Sequence, residues 1–175
     1  MRKTSVIALL FSLSMLLQSC GYPAKEEITA RFSRDQEAYS LITDYLLSLE
    51  GFDTISISKF DGKFFSNLEY HVIENDSVNQ ALQTVNNHGC SSIQKNGKQV
   101  SFELWYSFQD IGCGVCYSEE AISKPEECIA EQFLTEVIPL ETPNWYYYVS
   151  DYNQWRVNRE NGSTIDTKEL LPTTN

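Results

Sequence analysis

Val100, Phe102, Leu104, Tyr106 and Phe108 alternate without interruption after Asn96-Gly97, the strongest tight-turn signal in the chain. Successive side chains of a strand point to opposite faces, so this run predicts a half-buried strand near the centre of a sheet. A strand cannot bury such a face alone, and two other segments carry stripes that fit it. Ala38, Leu41, Ile42, Tyr45, Leu46 and Leu49 recur at the helical period, as do Val78, Ala81, Leu82 and Val85. Ser33 with Gln36 and Ser77 with Gln80 have capping-box spacing, and Gly51 and Gly89 supply the stops.

The remaining elements extend the sheet. Thr54–Phe60 alternates through Ile55 and Ile57, and Asp61-Gly62 offers a two-residue turn into a second strand over 63–73. Pro125 sits where a short helix through Ile129, Phe133 and Leu134 would begin. Residues 145–149 and 154–157 predict a last aromatic hairpin, Asn161-Gly162 a further turn, and 171–175 a frayed end. Hairpins dominate and no βαβ pattern occurs. The expected fold class is α+β, a two-layer domain with a mostly antiparallel sheet and two or three helices packed on one face.

Arg2 and Lys3 precede an apolar run over 6–17, interrupted only by Ser12 and Ser14. A membrane-spanning helix needs roughly 20 apolar residues, so the run has the length of a cleaved export signal. Leu17-Gln18-Ser19-Cys20, with Gln18 where a small residue is usual, resembles the lipobox of bacterial lipoproteins. The resemblance implies cleavage before Cys20, a diacylglyceryl group on its thiol, and a domain held at the membrane by lipid. At ~0.8 kcal/mol per buried CH₂, two or three acyl chains suffice for that. It also implies sorting: Gly21, where Asp would signal retention in the inner membrane, points to the outer membrane. The expected organisation is a signal peptide over 1–19, a polar tether over 20–32, and one domain over 33–170.

Removing the signal leaves 156 of the 175 residues, enough for a real core. Losing Arg2 and Lys3 takes the 13 basic side chains to 11 against 24 acidic ones, a formal charge of −13. Such a surface repels phosphate backbones and anionic headgroups, so nucleic acid is not an expected partner.

Four cysteines follow Cys20: Cys90, Cys113, Cys116 and Cys128. An even count in an exported chain reads first as two disulfides, with three connectivities open. Cys116 to Cys128 would close a short loop worth roughly 3 kcal/mol. If Cys113 and Cys116 lie in extended chain, their odd separation sends them to opposite faces, leaving Cys90 and Cys128 as their natural mates. The alternative is a redox pair, since Cys113-Gly114-Val115-Cys116 resembles the CxxC of thioredoxin-like lipoproteins. That resemblance implies Cys113 as attacking thiolate, Cys116 as resolving thiol, and Thr142-Pro143 as the cis-proline loop. The stretch 117–142 is too short for the strand and crossover that the thioredoxin fold requires there. A Cys₄ zinc site lacks knuckle spacing, and neither a metal nor a cofactor is expected.

Neither His71 nor His88 stands in a catalytic motif, and His88 falls in the last turn of a helix, where it complements the dipole. Glu119-Glu120 and Glu126-Glu127 read as a solvated acidic loop. Trp145, Tyr147, Tyr152 and Trp155 are the candidate binding face, a stacking surface for a glycan or an envelope protein. Alternate rings of a strand must however point into the core. The expected role is a non-enzymatic binding module in the envelope.

Overall fold

The computed structural model describes residues 23–67, 72–107 and 111–160. Cys20, His71, Phe108 and the expected signal, turn and end at 1–19, 161–162 and 171–175 lie outside the described residues. Seven strands form one open sheet: β1 Thr54–Phe60, β2 Lys63–Ser66, β3 Ser92–Asn96, β4 Gln99–Ser107, β5 Ile111–Ser118, β6 Leu134–Pro139 and β7 Trp145–Asp151. Their order is β2-β1-β3-β4-β5-β7-β6, and every pairing is antiparallel. The helices are α1 Lys25–Arg34, α2 Gln36–Ser48, α3 Asp76–Asn87 and α4 Tyr152–Glu160. The fold is α+β, with α1, α2 and α3 packed on one face of the sheet.

Register explains where the helices sit. One row of side chains runs Ile57, Ile93, Phe102, Val115, Tyr147 and Ile138 across six strands, an apolar band under the helices. The row on the opposite face runs Ser56, Gln94, Ser101, Cys116 and Tyr146. It is polar over β1, β3 and β4 and turns apolar at β5 and β7, so only those last strands demand a second cover. The β1–β2 turn is set by Asp61 and Gly62, both at positive φ (48° and 76°), the backbone a tight hairpin of this hand requires. In the β3–β4 turn Asn96 pairs with Gln99, which makes Gly97 and Lys98 the loop residues.

The tether expected over 20–32 is corrected from Lys25 onward. Lys25–Arg34 is helical, and Ile28 and Phe32, four residues apart on one face, are fully buried in the main core. Arg31 donates to the Leu104 carbonyl at 3.4 Å, tying α1 to β4. Helix α1 breaks from α2 at Asp35, which leaves no capping box at Ser33. Helix α3 is capped two residues earlier than expected, at Asn75 in place of Ser77, with Asn75 Oδ1 accepting from the Val78 amide at 3.1 Å. Its expected apolar face is the buried one, and Gly89 closes it at φ 98°.

Two further expectations change. The helix through Ile129, Phe133 and Leu134 is a 3-10 turn, Pro125–Glu127, followed by strand β6. Residues 154–157 belong to α4, not to a strand: Asp151 Oδ1 accepts from the Gln154 amide at 3.0 Å, an N-cap bond that starts a helix directly after β7. Of the strand expected over 63–73, the described residues form β2 over Lys63–Ser66 and an isolated bridge from Phe65 to Val72. Among the described residues no helix is long and apolar enough to cross a membrane.

Candidate functional site

Strand β5 is the divider of the molecule. It is buried on both faces, with Cys113, Val115 and Tyr117 toward the helices and Gly112, Gly114, Cys116 and Ser118 toward the other side. Gly114 is required where it stands. A Cβ there would lie 2.0 Å from the Phe102 carbonyl oxygen and 3.0 Å from Tyr148 Oη.

Behind β5 lies a second, smaller core of Cys116, Cys128, Ala130, Tyr146 and Tyr148, with Ile122, Leu134 and Val137 against it. The 119–133 connection from β5 to the edge strand β6 crosses this face and closes it. Polar side chains of the sheet hold the crossing in place. Gln99 donates to the Glu127 carbonyl at 2.7 Å and accepts from the Ile129 amide at 2.8 Å, while Asn96 donates to the Ile129 carbonyl at 3.2 Å. Tyr146 Oη accepts from the Ile122 amide at 3.1 Å.

The crossing sets Cys128 on Cys116, sulfur to sulfur at 3.4 Å, with both residues buried. A hydrogen bond from the Cys116 thiol holds Cys128 below the ordinary thiol range against the opposing effect of burial, and the Ala130 amide adds to it. The same bond, together with burial, raises Cys116. Nearby, burial and the Glu103 charge push Glu131 up, and burial raises fully enclosed Tyr148 well above the phenol range.

Cys90 and Cys113 belong to the main core on the helical side, and burial pushes each thiol up to about 12. They are protonated at neutral pH and poor nucleophiles. All four cysteines are thiols in the structure. The opposite orientation of Cys113 and Cys116 follows the alternation expected of extended chain. It also overturns the CxxC redox pair: three residues of strand separate them by about 10 Å, and a disulfide needs Cα atoms within about 7 Å. The Thr142–Pro143 bond is trans, unlike the loop that reading implied. Since the sulfurs divide between two cores, one metal ion cannot gather all four.

The aromatic binding face is corrected in half. Trp145 and Tyr147 are 3% and 1% exposed, and both lie in the main core. Trp145 packs at 4.7 Å from Phe32, 5.6 Å from Tyr117 and 5.9 Å from Phe102, centroid to centroid. Tyr146 and Tyr148 point the other way but are buried as well, because the 119–133 crossing covers that side. The other two candidates stand on α4 at the surface. Tyr152 is 36% exposed and Trp155 half-buried, both against Phe133 at 4.9 and 5.2 Å, with the Arg159 guanidinium 5.3 Å over the Trp155 ring.

One cluster goes beyond the sequence reading. His88, expected only to face a helix dipole, reaches Asp35 at the α1–α2 break, Nδ1 to Oδ2 at 2.7 Å, and Arg34 donates to the same oxygen at 2.8 Å. Burial alone would raise Asp35, but the hydrogen bonds and charges of Arg34 and His88 together hold it below the usual carboxylate range. The partners are 53 residues apart, so no local pattern could announce them. No protein-family model, curated protein or solved structure matches this chain.

Proposed function

We propose that this is a lipid-anchored protein of the bacterial envelope, held by Cys20 at the outer membrane and acting as a non-enzymatic binding module. The observation that carries the reading is Leu17-Gln18-Ser19-Cys20 behind a charged start and an apolar run too short to span a bilayer. Helix α1 begins at Lys25, so at most about 17 Å of extended chain joins Cys20 to the folded body. A domain moored so closely works at the membrane surface.

For the binding role the support is the ring cluster of Phe133, Tyr152 and Trp155 with Arg159 beside it, an apolar surface with a cation at its rim. Stacking on a sugar face or on an aromatic side chain of an envelope protein suits that chemistry. Cells fed labelled palmitate should yield a labelled chain, and Cys20→Ala should abolish the label. An unlabelled wild-type chain, or a mature chain starting elsewhere than residue 20, would sink the reading. Titration of the chain with glycans and envelope proteins, followed by calorimetry, tests the binding half. Equal affinities for wild type and Trp155→Ala would remove this surface from it.

A further inference from the structure

We infer that Cys116 and Cys128 form a disulfide that fastens the 119–133 crossing to β5, while Cys90 and Cys113 remain thiols. The two sulfurs already touch at 3.4 Å across 12 residues of chain. The contact is not made by the sulfurs alone. The Gln99, Asn96 and Tyr146 hydrogen bonds seat the crossing independently, so the pair is positioned before any bond forms. Cys116 is fixed in a central strand, whereas Cys128 follows the 3-10 turn in irregular chain and can adjust without disturbing the sheet.

Pairings between the two cores fail on placement. Cys113 faces the helical side and is separated from Cys116 and Cys128 by the sheet itself. Cys90 is committed to the Ser92 carbonyl, to which its thiol donates at 3.4 Å, and also lies in the main core.

The oxidant is an external disulfide, either a small molecule such as oxidised glutathione or an exchange protein. The Cys128 thiolate attacks one of its sulfurs, the reagent's S–S bond breaks, and one reagent thiolate leaves. Cys116, giving up its proton, then attacks the Cys128 sulfur of the mixed disulfide and expels the second reagent thiolate. The protein loses two protons and two electrons, and the reagent ends as two thiols.

The full chain, unfolded in urea with reductant and refolded in oxidised glutathione, is quenched with N-ethylmaleimide, digested and mapped by mass spectrometry. Refolding gives the oxidant access to sulfurs that are buried in the native state. The expected map contains one linked peptide pair joining Cys116 to Cys128, lighter by two hydrogens than its reduced parts, with Cys90 and Cys113 alkylated once the protein is denatured. Alkylation of both Cys116 and Cys128 would overturn the inference, as would a bridge from either to Cys90 or Cys113, or a bridge between Cys90 and Cys113. The measurement is independent of the lipid on Cys20, so its failure and the failure of the envelope reading are separately visible.

Discussion

Replacing Phe32 by alanine is the sharpest test of where this fold begins. Phe32 is 1% exposed, and its ring lies 4.7 Å from Trp145 and 5.5 Å from Tyr39. Removing a buried phenylalanine forfeits roughly 1.5 to 3 kcal/mol of burial, and each lost ring pair adds about 0.5 to 1.5 kcal/mol. The sum, about 2.5 to 6 kcal/mol, brackets the range of about 3 to 5 kcal/mol typical of Phe→Ala in a core. At about 2 to 4 °C per kcal/mol for a chain of this length, the midpoint should drop by roughly 6 to 20 °C. Urea titration of the full chain, read by tryptophan fluorescence, gives the free-energy difference, and a thermal scan gives the midpoint shift. Tyr39→Phe is the control, because the Tyr39 hydroxyl is buried without a hydrogen-bond partner among the described residues. Its loss removes an unmet polar group and should be neutral or stabilising by up to about 1 kcal/mol. A Phe32→Ala cost under about 0.5 kcal/mol, the scale of a surface change, would refute the placement of α1 in the core.

Gly114→Ala should cost more than about 3 kcal/mol or abolish folding, since relief of a 2.0 Å approach to the Phe102 carbonyl requires moving a central strand; a thermal scan showing a loss below about 1 kcal/mol would contradict the register. Asp35 predicts an acid limb. Its folded pKa lies below its unfolded value near 4, so its contribution is fully present above about pH 4 and is lost as pH falls through the lower folded value. Asp35→Asn should flatten the pH dependence of stability below about pH 4, measured as urea midpoints, and an unchanged acid limb would discount the cluster.

What could be read in advance depended on how local the cause was. Helix α3 showed itself because its four buried residues lie on one stripe, and the Asp61-Gly62 turn because it needs only two residues of the right kind. The opposite faces of Cys113 and Cys116 followed from strand period alone. Helix α1 hid because only Ile28 and Phe32 of its ten residues are buried amid charge, too sparse a stripe to separate from a tether. Strand β6 was masked by the chance helical spacing of 129 and 133, and α4 by the strand-like Tyr152, Trp155 and Val157, although Asp151 was a legible cap. The aromatic run on β7 misled for a nonlocal reason: whether Trp145 and Tyr147 meet solvent depends on helices more than a hundred residues earlier.

The split of sulfurs by β5 makes the reduced protein a two-clock system. Peeling back the 119–133 crossing would bare Cys116 and Cys128 while the sheet survives, whereas Cys90 and Cys113 sit under three helices. A maleimide added to the reduced chain should therefore label in two kinetic phases, a fast pair timing excursions of the loop and a slow pair timing loss of the whole fold.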